Sequence, residues 1–270
     1  MIYFEQSEKQ GSGAKRTGSY FKTTQDISIL REGGKKLALV LKKVAQILQP
    51  GISTADLDKL AFKLICEYGG KPSFLNYQPS FANKPFPSSL CTSINETVVH
   101  GIPSKKKILK QGDVISLDLG MEYKGLFTDM AITVGVGKIK PIYEKLIKVT
   151  REALNQAIKA SKANNTLGDV GYAIQKCVEK DGFVVVKGLV GHGVGYYPHE
   201  DPVVFNYGKP HQGLKLEEGM VIAIEPMVTF DDGTVREEED GSFVTANGRV
   251  SCHFEHTVAI TKKGPIVITR

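Results

Sequence analysis

Residues 114–134 read VISLDLGMEYKGLFTDMAITV, with one aspartate on each side of a polar centre. Apolar residues dominate both flanks at strand length, which predicts two antiparallel strands joined by a turn. If the chain reverses around Tyr123 and Lys124, Asp118 on the first strand lies directly opposite Asp129 on the second. The sequence therefore predicts a hairpin that carries a carboxylate in the middle of each arm.

These two aspartates need a physical explanation. Like charges that face each other across a sheet destabilise it, and adjacent carboxylates resist ionising together. Solvent would relieve the repulsion if this face were exposed. The apolar neighbours Val114, Ile115 and Ile132 instead indicate a sheet that is at least half buried, where a bound cation would relieve it. From this stretch alone, a solvated pair and a metal-binding pair are both open.

The two halves of the chain repeat one order of elements, with two helices followed by strands. The predicted helices cover residues 26–48, 54–69, 141–162 and 166–180. The predicted strands cover residues 90–99, 114–119, 126–136, 183–186, 220–224, 228–230 and 254–260. This order predicts an internal structural repeat and an α+β fold in which helices cover one face of a sheet.

Composition and charge limit the classes of protein that fit this chain. Its 270 residues are 41% hydrophobic and carry a formal net charge of +6, as in ordinary soluble globular proteins. The sequence has no transmembrane-length apolar run and no signal-peptide core, so we expect a cytoplasmic protein without a membrane partner. Its scattered lysines argue against specific nucleic-acid binding. We expect a flexible polar tail at 1–25, a single domain at 26–270 and a monomer.

Two histidines and two glutamates in the second half are further candidates for a functional site. His192 and His199 lie seven residues apart in GLVGHGVGYYPHEDP, and the glycines beside His192 let the backbone approach a ligand closely. Glu225 interrupts the apolar run MVIAIEPM, and Glu255 lies inside CHFEHTVAI. Taken singly, a glycine-flanked histidine is more often a loop residue, and a glutamate near a strand end usually reaches solvent.

Taken together, the candidates form a set that is too costly to bury without cations. Four carboxylates left uncompensated would cost far more than the stability of a whole domain, on the order of 10 kcal/mol, whereas two divalent cations balance them. Oxygen-rich ligation with one imidazole suits Mn, Fe or Co better than a structural Zn, and such a metal pair can activate a water. The proposed ligands are Asp118, Asp129, His192, Glu225 and Glu255.

The motifs SLDLG, FTDMA, GHGVG, IEPM and FEHT occur in the order and at the intervals typical of the type I methionine aminopeptidases. The chain resembles that family from about residue 26 to residue 269. The resemblance implies the pseudo-twofold pita-bread (creatinase/aminopeptidase) fold, a curved antiparallel sheet covered by helices, and it implies that the domain at 26–270 is catalytic.

The resemblance also implies a role for each metal ligand. Asp118 resembles the residue that chelates one metal, and His192 and Glu225 resemble ligands of the other. Asp129 and Glu255 resemble the carboxylates that bridge the two metals. Glu225 would in addition move a proton from the attacking water to the leaving amine.

Substrate contacts follow from the same resemblance. His100, in VVHGIP, resembles the histidine that contacts the substrate near the scissile amide. His199 resembles the one that hydrogen-bonds the scissile carbonyl oxygen. Cys91, Phe86 and Phe243 resemble residues that line the methionine pocket, although many relatives carry tryptophan where Phe243 stands.

The implied activity is removal of the N-terminal methionine from nascent chains and peptides that have a free amino terminus and a small second residue. Two divalent metals would be the cofactors, with Mn, Fe or Co preferred and Zn less suited. A further hypothesis is that the basic tail contacts the ribosome transiently. The tail residues concerned are Lys9, Lys15, Arg16 and Lys22.

Two alternative functions remain. A proline-specific aminopeptidase or dipeptidase of the same fold would usually carry a large N-terminal domain, which 25 residues cannot supply, and the step from His192 to His199 fits the methionine enzymes better. A non-catalytic binding protein would use the tail to contact RNA or a ribosome, but such proteins typically lose metal ligands, and all five are present here.

Overall fold

Residues 20–79 and 84–270 are those that the computed structural model describes, and they form four helices and fifteen strands. The helices are α1 (Thr24–Gln46), α2 (Thr54–Glu67), α3 (Pro141–Ala160) and α4 (Leu167–Lys180). The strands are β1 (Lys71–Pro72), β2 (Leu90–Ile94), β3 (Thr97–Val99), β4 (Val114–Tyr123), β5 (Leu126–Gly135), β6 (Val184–Val185), β7 (Gly191–Gly193), β8 (Glu200–Val204), β9 (Val221–Ile224), β10 (Met227–Thr229), β11 (Val235–Glu237), β12 (Phe243–Thr245), β13 (Cys252–His253), β14 (Glu255–Thr261) and β15 (Gly264–Val267). None of these helices is long and apolar enough to cross a bilayer.

The helices begin where local side chains satisfy their first backbone amides. Thr23 caps α1 and forms a reciprocal capping box with Asp26, and Thr166 caps α4 in the same way. Ser53 caps α2, whereas α3 starts with Pro141, whose ring suits the first helical turn. All four helices lie where the apolar spacing predicted them, with ends that differ by up to two residues.

A nine-stranded antiparallel sheet joins the two halves of the chain. Its main path runs β1-β4-β5-β14-β9-β7-β8, with β2 paired to β4 and β15 paired to β14. The central pair is β5 and β14, one strand from each half, and β4 and β9 flank them. This arrangement agrees with the repeat predicted from the order of elements.

The helices cover one face of this sheet and leave the other for the site. Ile115, Leu117 and Leu119 point from β4 into a buried cluster with α1 and α2. Each such fully buried side chain contributes ~1.5–3 kcal/mol of transfer free energy. Because side chains alternate along a strand, Asp118 points to the opposite face.

The hairpin has a different register from the predicted one. Tyr123 pairs with Leu126, so the turn consists of Lys124 and Gly125 alone, with φ values of 51° and 81°. Positive φ at both central residues is characteristic of a type I′ turn, whose twist matches that of the strands. The predicted direct opposition of the aspartates was therefore wrong, because it centred the turn one residue too early, on Tyr123 and Lys124.

The corrected register still places both aspartates on one face. Asp118 pairs with Ala131, and Asp129 pairs with Gly120. The two carboxylates are thus diagonal neighbours two residues apart in register, within reach of each other across the ladder.

Part of the predicted N-terminal tail belongs to the fold. Phe21 forms a β-bridge with Met220, and the Lys22 amide donates to the Gly219 carbonyl at 2.7 Å. The Lys22 side chain is buried, so this lysine is not available for the ribosome contact that the sequence predicted. Residues 1–19, with the rest of the predicted tail, lie outside the described residues.

Candidate metal centre

Neighbouring strands of the large sheet carry the five predicted ligands. Asp118 lies on β4, Asp129 on β5, Glu255 on β14 and His192 on β7, while Glu225 directly follows β9. These strands are consecutive in the sheet. Asp118 and Glu255, which are more than 130 positions apart in the sequence, therefore lie on strands close together in the sheet.

Register explains why the ligands share a face. Asp118 pairs with Ala131, and Ala131 pairs in turn with Glu255 across the central strands. Asp129 precedes Ala131 by two residues and so points the same way. His192 pairs with Ala223, which stands two residues before Glu225. All five side chains consequently project from the face opposite the helices.

The four carboxylates are deeply buried, with between 2% and 8% of each residue exposed. Burial raises the pKa of Asp129 and of Glu225 to about 7. Burial and the neighbouring carboxylates raise the pKa of Asp118 and of Glu255 well above the usual range. Within the described residues, Asp118 Oδ1 and Glu255 Oε1 have no hydrogen-bond partner. A cation would satisfy these atoms and compensate the charge.

His192 presents a nitrogen to this cluster in a defined tautomer. Its Nδ1 lies 2.9 Å from the Gly193 carbonyl oxygen, which can only accept, so Nδ1 carries the proton. Nε2 is then unprotonated, 3.6 Å from Glu225 Oε1, and its lone pair can bind a metal ion. Ligand atoms of Asp129, His192 and Glu255 all lie within 4.8 Å of one another, which suits a shared metal ion.

The glycines beside His192 are required by close backbone neighbours. A Cβ on Gly193 would lie 2.1 Å from the Asp201 carbonyl oxygen, and one on Gly191 would lie 2.4 Å from that of Ala223. Any larger residue would push the neighbouring strands away. The sequence interpreted these glycines as allowing access to a ligand, whereas the structure shows that they allow tight strand pairing around His192.

His253 is a buried residue of the cluster that the sequence interpretation missed. Its Nε2 lies 3.2 Å from Glu225 Oε2, yet neither ring nitrogen has a hydrogen-bond partner within the described chain. Burial lowers its pKa to about 4, so the ring is neutral at pH 7. It forms a second group of potential ligands with Glu225 and Glu255. His253 stands two residues before Glu255, and side chains at that spacing on a strand share a face. The sequence could therefore have indicated that His253 lies beside Glu255.

His199 lies at the open side of the cluster. Its ring centre is 4.4 Å from that of His192, and its Nδ1 is 3.0 Å from the hydroxyl oxygen of Tyr77. The rings of Tyr77 and His199 also stack, with centres 5.3 Å apart. Tyr77 was missed because it lies in a proline-rich loop without periodicity.

The remaining predicted substrate residues surround the same face. Cys91 lies directly across the β2–β4 ladder from Asp118, and the rings of His100 and Phe243 meet edge to face at 5.7 Å. Phe86 is connected to the site through the loop, since its amide donates to the Tyr77 carbonyl at 2.9 Å. Of these residues, Cys91 neighbours a carboxylate of the cluster directly, whereas Phe86 is linked to it only through Tyr77 and His199.

Comparison with known proteins agrees with this geometry. The profile of metallopeptidase family M24 matches residues 28–262. The chain belongs to metallopeptidase family M24. Among its relatives, the methionine aminopeptidase of Aquifex aeolicus is 44% identical over 248 residues, 91% of this chain and 96% of the relative.

Solved structures of M24 metallopeptidases share the fold. The methionine aminopeptidase from Thermotoga maritima superposes with a TM-score of 0.89 at 41% identity, covering 93% of this chain and 98% of that one. An Xaa-Pro dipeptidase from Bacillus anthracis, 21% identical, superposes with a TM-score of 0.74 and covers 93% of this chain but 62% of its own. The predicted pita-bread fold and the predicted family resemblance are both confirmed.

Membership of this metallopeptidase family implies divalent metal ions. The buried carboxylates with raised pKa values, the unpartnered oxygens of Asp118 and Glu255, and the free Nε2 of His192 fit such ions. Hard oxygen ligands with few nitrogens match the coordination chemistry of divalent metals in hydrolytic sites.

Proposed function

We propose that the protein hydrolyses the first peptide bond of chains that begin with an unblocked methionine. The observation that carries this proposal is a buried cluster of four carboxylates and an imidazole, in a chain 44% identical to a methionine aminopeptidase over nearly its whole length. A proline-specific activity is not favoured, because the Xaa-Pro dipeptidase from Bacillus anthracis has the same fold but is only 21% identical to this chain.

Five side chains hold two divalent ions in this proposal: Asp118, Asp129, His192, Glu225 and Glu255. The ions supply a water of lowered pKa and polarise the scissile carbonyl when they are bound. The oxygen-rich donor set favours Mn, Fe or Co over Zn. His253 Nε2 lies 3.2 Å from Glu225 Oε2, whereas His192 lies nearer the other oxygen, so in this proposal His253 restricts the orientation of that carboxylate.

The protein's own groups move protons and stabilise charge. Glu225 takes a proton from the attacking water and passes it to the leaving amine. In this proposal the Tyr77 hydroxyl, 3.0 Å away, donates to Nδ1 of His199, so the single N–H proton of the neutral ring lies on Nε2. Nε2–H can then donate to the developing oxyanion, a contribution of about 3–4 kcal/mol in comparable sites. His100 contacts the substrate next to the scissile amide.

The methionine side chain binds against apolar walls. Cys91, Phe86 and Phe243 supply these walls, and a flexible, polarisable thioether adapts to such surroundings. We propose that a small second residue is preferred. Methionine-initiated chains are made in the cytoplasm, where the protein would act as a monomer. Of the predicted ribosome-contacting residues, Lys9, Lys15 and Arg16 remain candidates for that contact.

A panel of peptides tests the proposed substrate. Metal-loaded protein should release methionine from Met-Ala-Ser, but not from its formylated form or from a peptide with a bulky second residue. Cleavage of an X-Pro peptide in preference to Met-Ala-Ser would move the protein to the proline-specific members of the family. Failure to cleave any peptide would favour a non-catalytic binding protein.

A further inference from the structure

A buried ion pair joins the N-terminal segment to the loop that carries His199. Lys22 Nζ contacts Glu200 Oε2, and only 1% and 11% of the two side chains are exposed. Charges withdrawn from water to this degree are retained where each satisfies the other. In its burial the pair differs from ion pairs on the protein surface, such as Lys262 with Glu218, whose side chains are 84% and 52% exposed.

The second oxygen of Glu200 holds the backbone of that loop. Glu200 Oε1 accepts hydrogen bonds from the amides of Tyr196 and Tyr197, the latter at 2.7 Å. At the start of the loop, the Gly195 carbonyl accepts from the Phe127 amide at 2.7 Å. The chain that leads into His199 is thus fixed to β5 at one end and to a single carboxylate at the other.

Lys22 packs closely over the same loop. A Cβ on Gly195 would lie 2.4 Å from Lys22 Cε, so the absence of a side chain at Gly195 leaves room for the Lys22 side chain. Lys22 Nζ lies 4.7 Å from the centre of the Tyr196 ring, in the range of a cation–π contact. The Tyr196 hydroxyl donates to Asp26 Oδ2 on α1 at 2.8 Å. The N-terminal segment, α1 and the loop form one interlocked unit.

We propose that Lys22 and Glu200 are positioning residues for His199. The inference rests on the proposed role of His199 in stabilising the oxyanion. Without Lys22, the unpaired Glu200 carboxylate would turn towards water and release the amides of Tyr196 and Tyr197. The imidazole of His199 would then move from its place beside His192, and a misplacement of about 1 Å in such a group costs ~100-fold in rate.

The first test is a comparison of Lys22→Met with Lys262→Met in metal-loaded protein. Lys22→Met should lower kcat by ~10–100-fold while KM and bound metal stay unchanged, because the ligands and the methionine pocket are untouched. Lys262→Met removes an exposed ion pair and should leave kcat unchanged. Lost metal in Lys22→Met, or an unchanged kcat, would overturn the proposal.

A double-mutant cycle with His199→Ala shows whether Lys22 acts through His199. In that background Lys22→Met should lower kcat no further. An equal loss in both backgrounds would mean that Lys22 acts elsewhere.

Amide hydrogen exchange provides a readout that does not depend on catalysis. The amides of Tyr196 and Tyr197 should exchange at least ~10-fold faster in Lys22→Met, because their acceptor is released. Unchanged exchange would overturn the positioning role even if methionine release proved not to be the activity. If Lys22→Met does not fold, Lys22→Met/Glu200→Ala leaves no unpaired charge and carries the same readouts.

Discussion

Individual carboxylates of the candidate metal centre hold their protons more tightly than exposed carboxylates do. Asp129 and Glu225 have pKa values raised to about 7 by burial, and those of Asp118 and Glu255 are higher than usual for the same reason and through their mutual repulsion. At neutral pH, the metal-free folded protein therefore keeps protons that metal ions must displace.

Metal uptake should consequently release protons and tighten as pH rises from about 5 to 7.5. Titration calorimetry of metal-stripped protein in two buffers of different ionisation enthalpy measures this release. Glu255→Gln should release fewer protons, while the exposed Glu67→Gln should behave like the wild type. Metal binding without a pH dependence in that range would contradict the raised pKa values.

The same pKa values set the pH dependence of stability without metal. An unfolded chain loses these protons near pH 4, whereas the folded site keeps them to about pH 7. Buried histidines such as His253 and His100, whose pKa values are lowered to about 4, oppose this effect below about pH 6.5, where the unfolded chain protonates them. The free energy of unfolding of the stripped protein should therefore fall as pH rises above about 7, where these histidines are neutral in both states and the folded carboxylates still bind protons. Urea unfolding at pH 7 and at about pH 8.5 measures the difference, and a rise in stability between them would contradict the assignment.

Tyr77 should affect the reaction only through His199. Tyr77→Phe keeps the stacked ring and removes the hydroxyl that lies 3.0 Å from His199 Nδ1. Loss of one such hydrogen bond, ~1–1.5 kcal/mol, predicts a kcat about ten-fold lower with little change in KM. Tyr172→Phe, on α4 and partly exposed, is the matched control. An unchanged kcat would mean that the tautomer of His199 is set by another group.

Single residues differ in how far the sequence reveals them. The five proposed ligands stand in motifs at fixed intervals, and their types alone pointed to buried charge. His253 was accessible from strand alternation with Glu255 but was not recognised. Tyr77 had no local signal, because its contact with His199 joins two loops that are 122 positions apart.

At the level of elements, the turn of the hairpin determines which residues face each other. Gly125 has a φ of 81°, and a Cβ there would meet no atom within 4 Å. Gly125→Ala should therefore destabilise the protein by ~1–2 kcal/mol through backbone strain alone. Lys124→Asn should change stability little, because asparagine tolerates positive φ but the exposed ion pair of Lys124 with Glu32 is lost. Chemical unfolding of the metal-loaded proteins measures both, and a neutral Gly125→Ala would contradict the type I′ turn.

Helix positions were predictable because apolar spacing and capping residues act locally. The strand register was not, because it depends on whether the turn is centred on residues 123 and 124 or on residues 124 and 125, and both choices keep apolar residues on the buried face. A shift of two residues in register leaves side-chain orientation intact. For this reason Asp118 and Asp129 still share one face of the sheet, although their predicted direct pairing was wrong.

For the whole molecule, the sequence indicated a repeat but not the order of strands. β14 comes from the last 20 residues and pairs with β5 from the first half, and this pairing brings Glu255 to Asp129. Such long-range pairing has no counterpart in local patterns. The family motifs implied the pairing of β14 with β5 only because the resemblance implied the pita-bread fold.

Joining the two halves through a metal centre should make stability depend on metal. An ion that binds only the folded state adds ~2.7 kcal/mol at a concentration of 100 times its Kd, or a rise of about 5–10 °C in Tm for a domain of this size. Calorimetry at pH 7.5 with and without Mn compares the two states. Asp118→Asn should lose most of the rise, and an equal rise in that variant would place metal binding elsewhere.

The most direct test of the central claim is methionine release by metal-stripped protein after Mn, Fe, Co or Zn is added back. The wild type should release methionine from Met-Ala-Ser only when metal is restored, and Asp129→Ala should stay inactive with every metal. Release by the stripped protein, or by Asp129→Ala at the wild-type rate, would contradict hydrolysis at this carboxylate cluster.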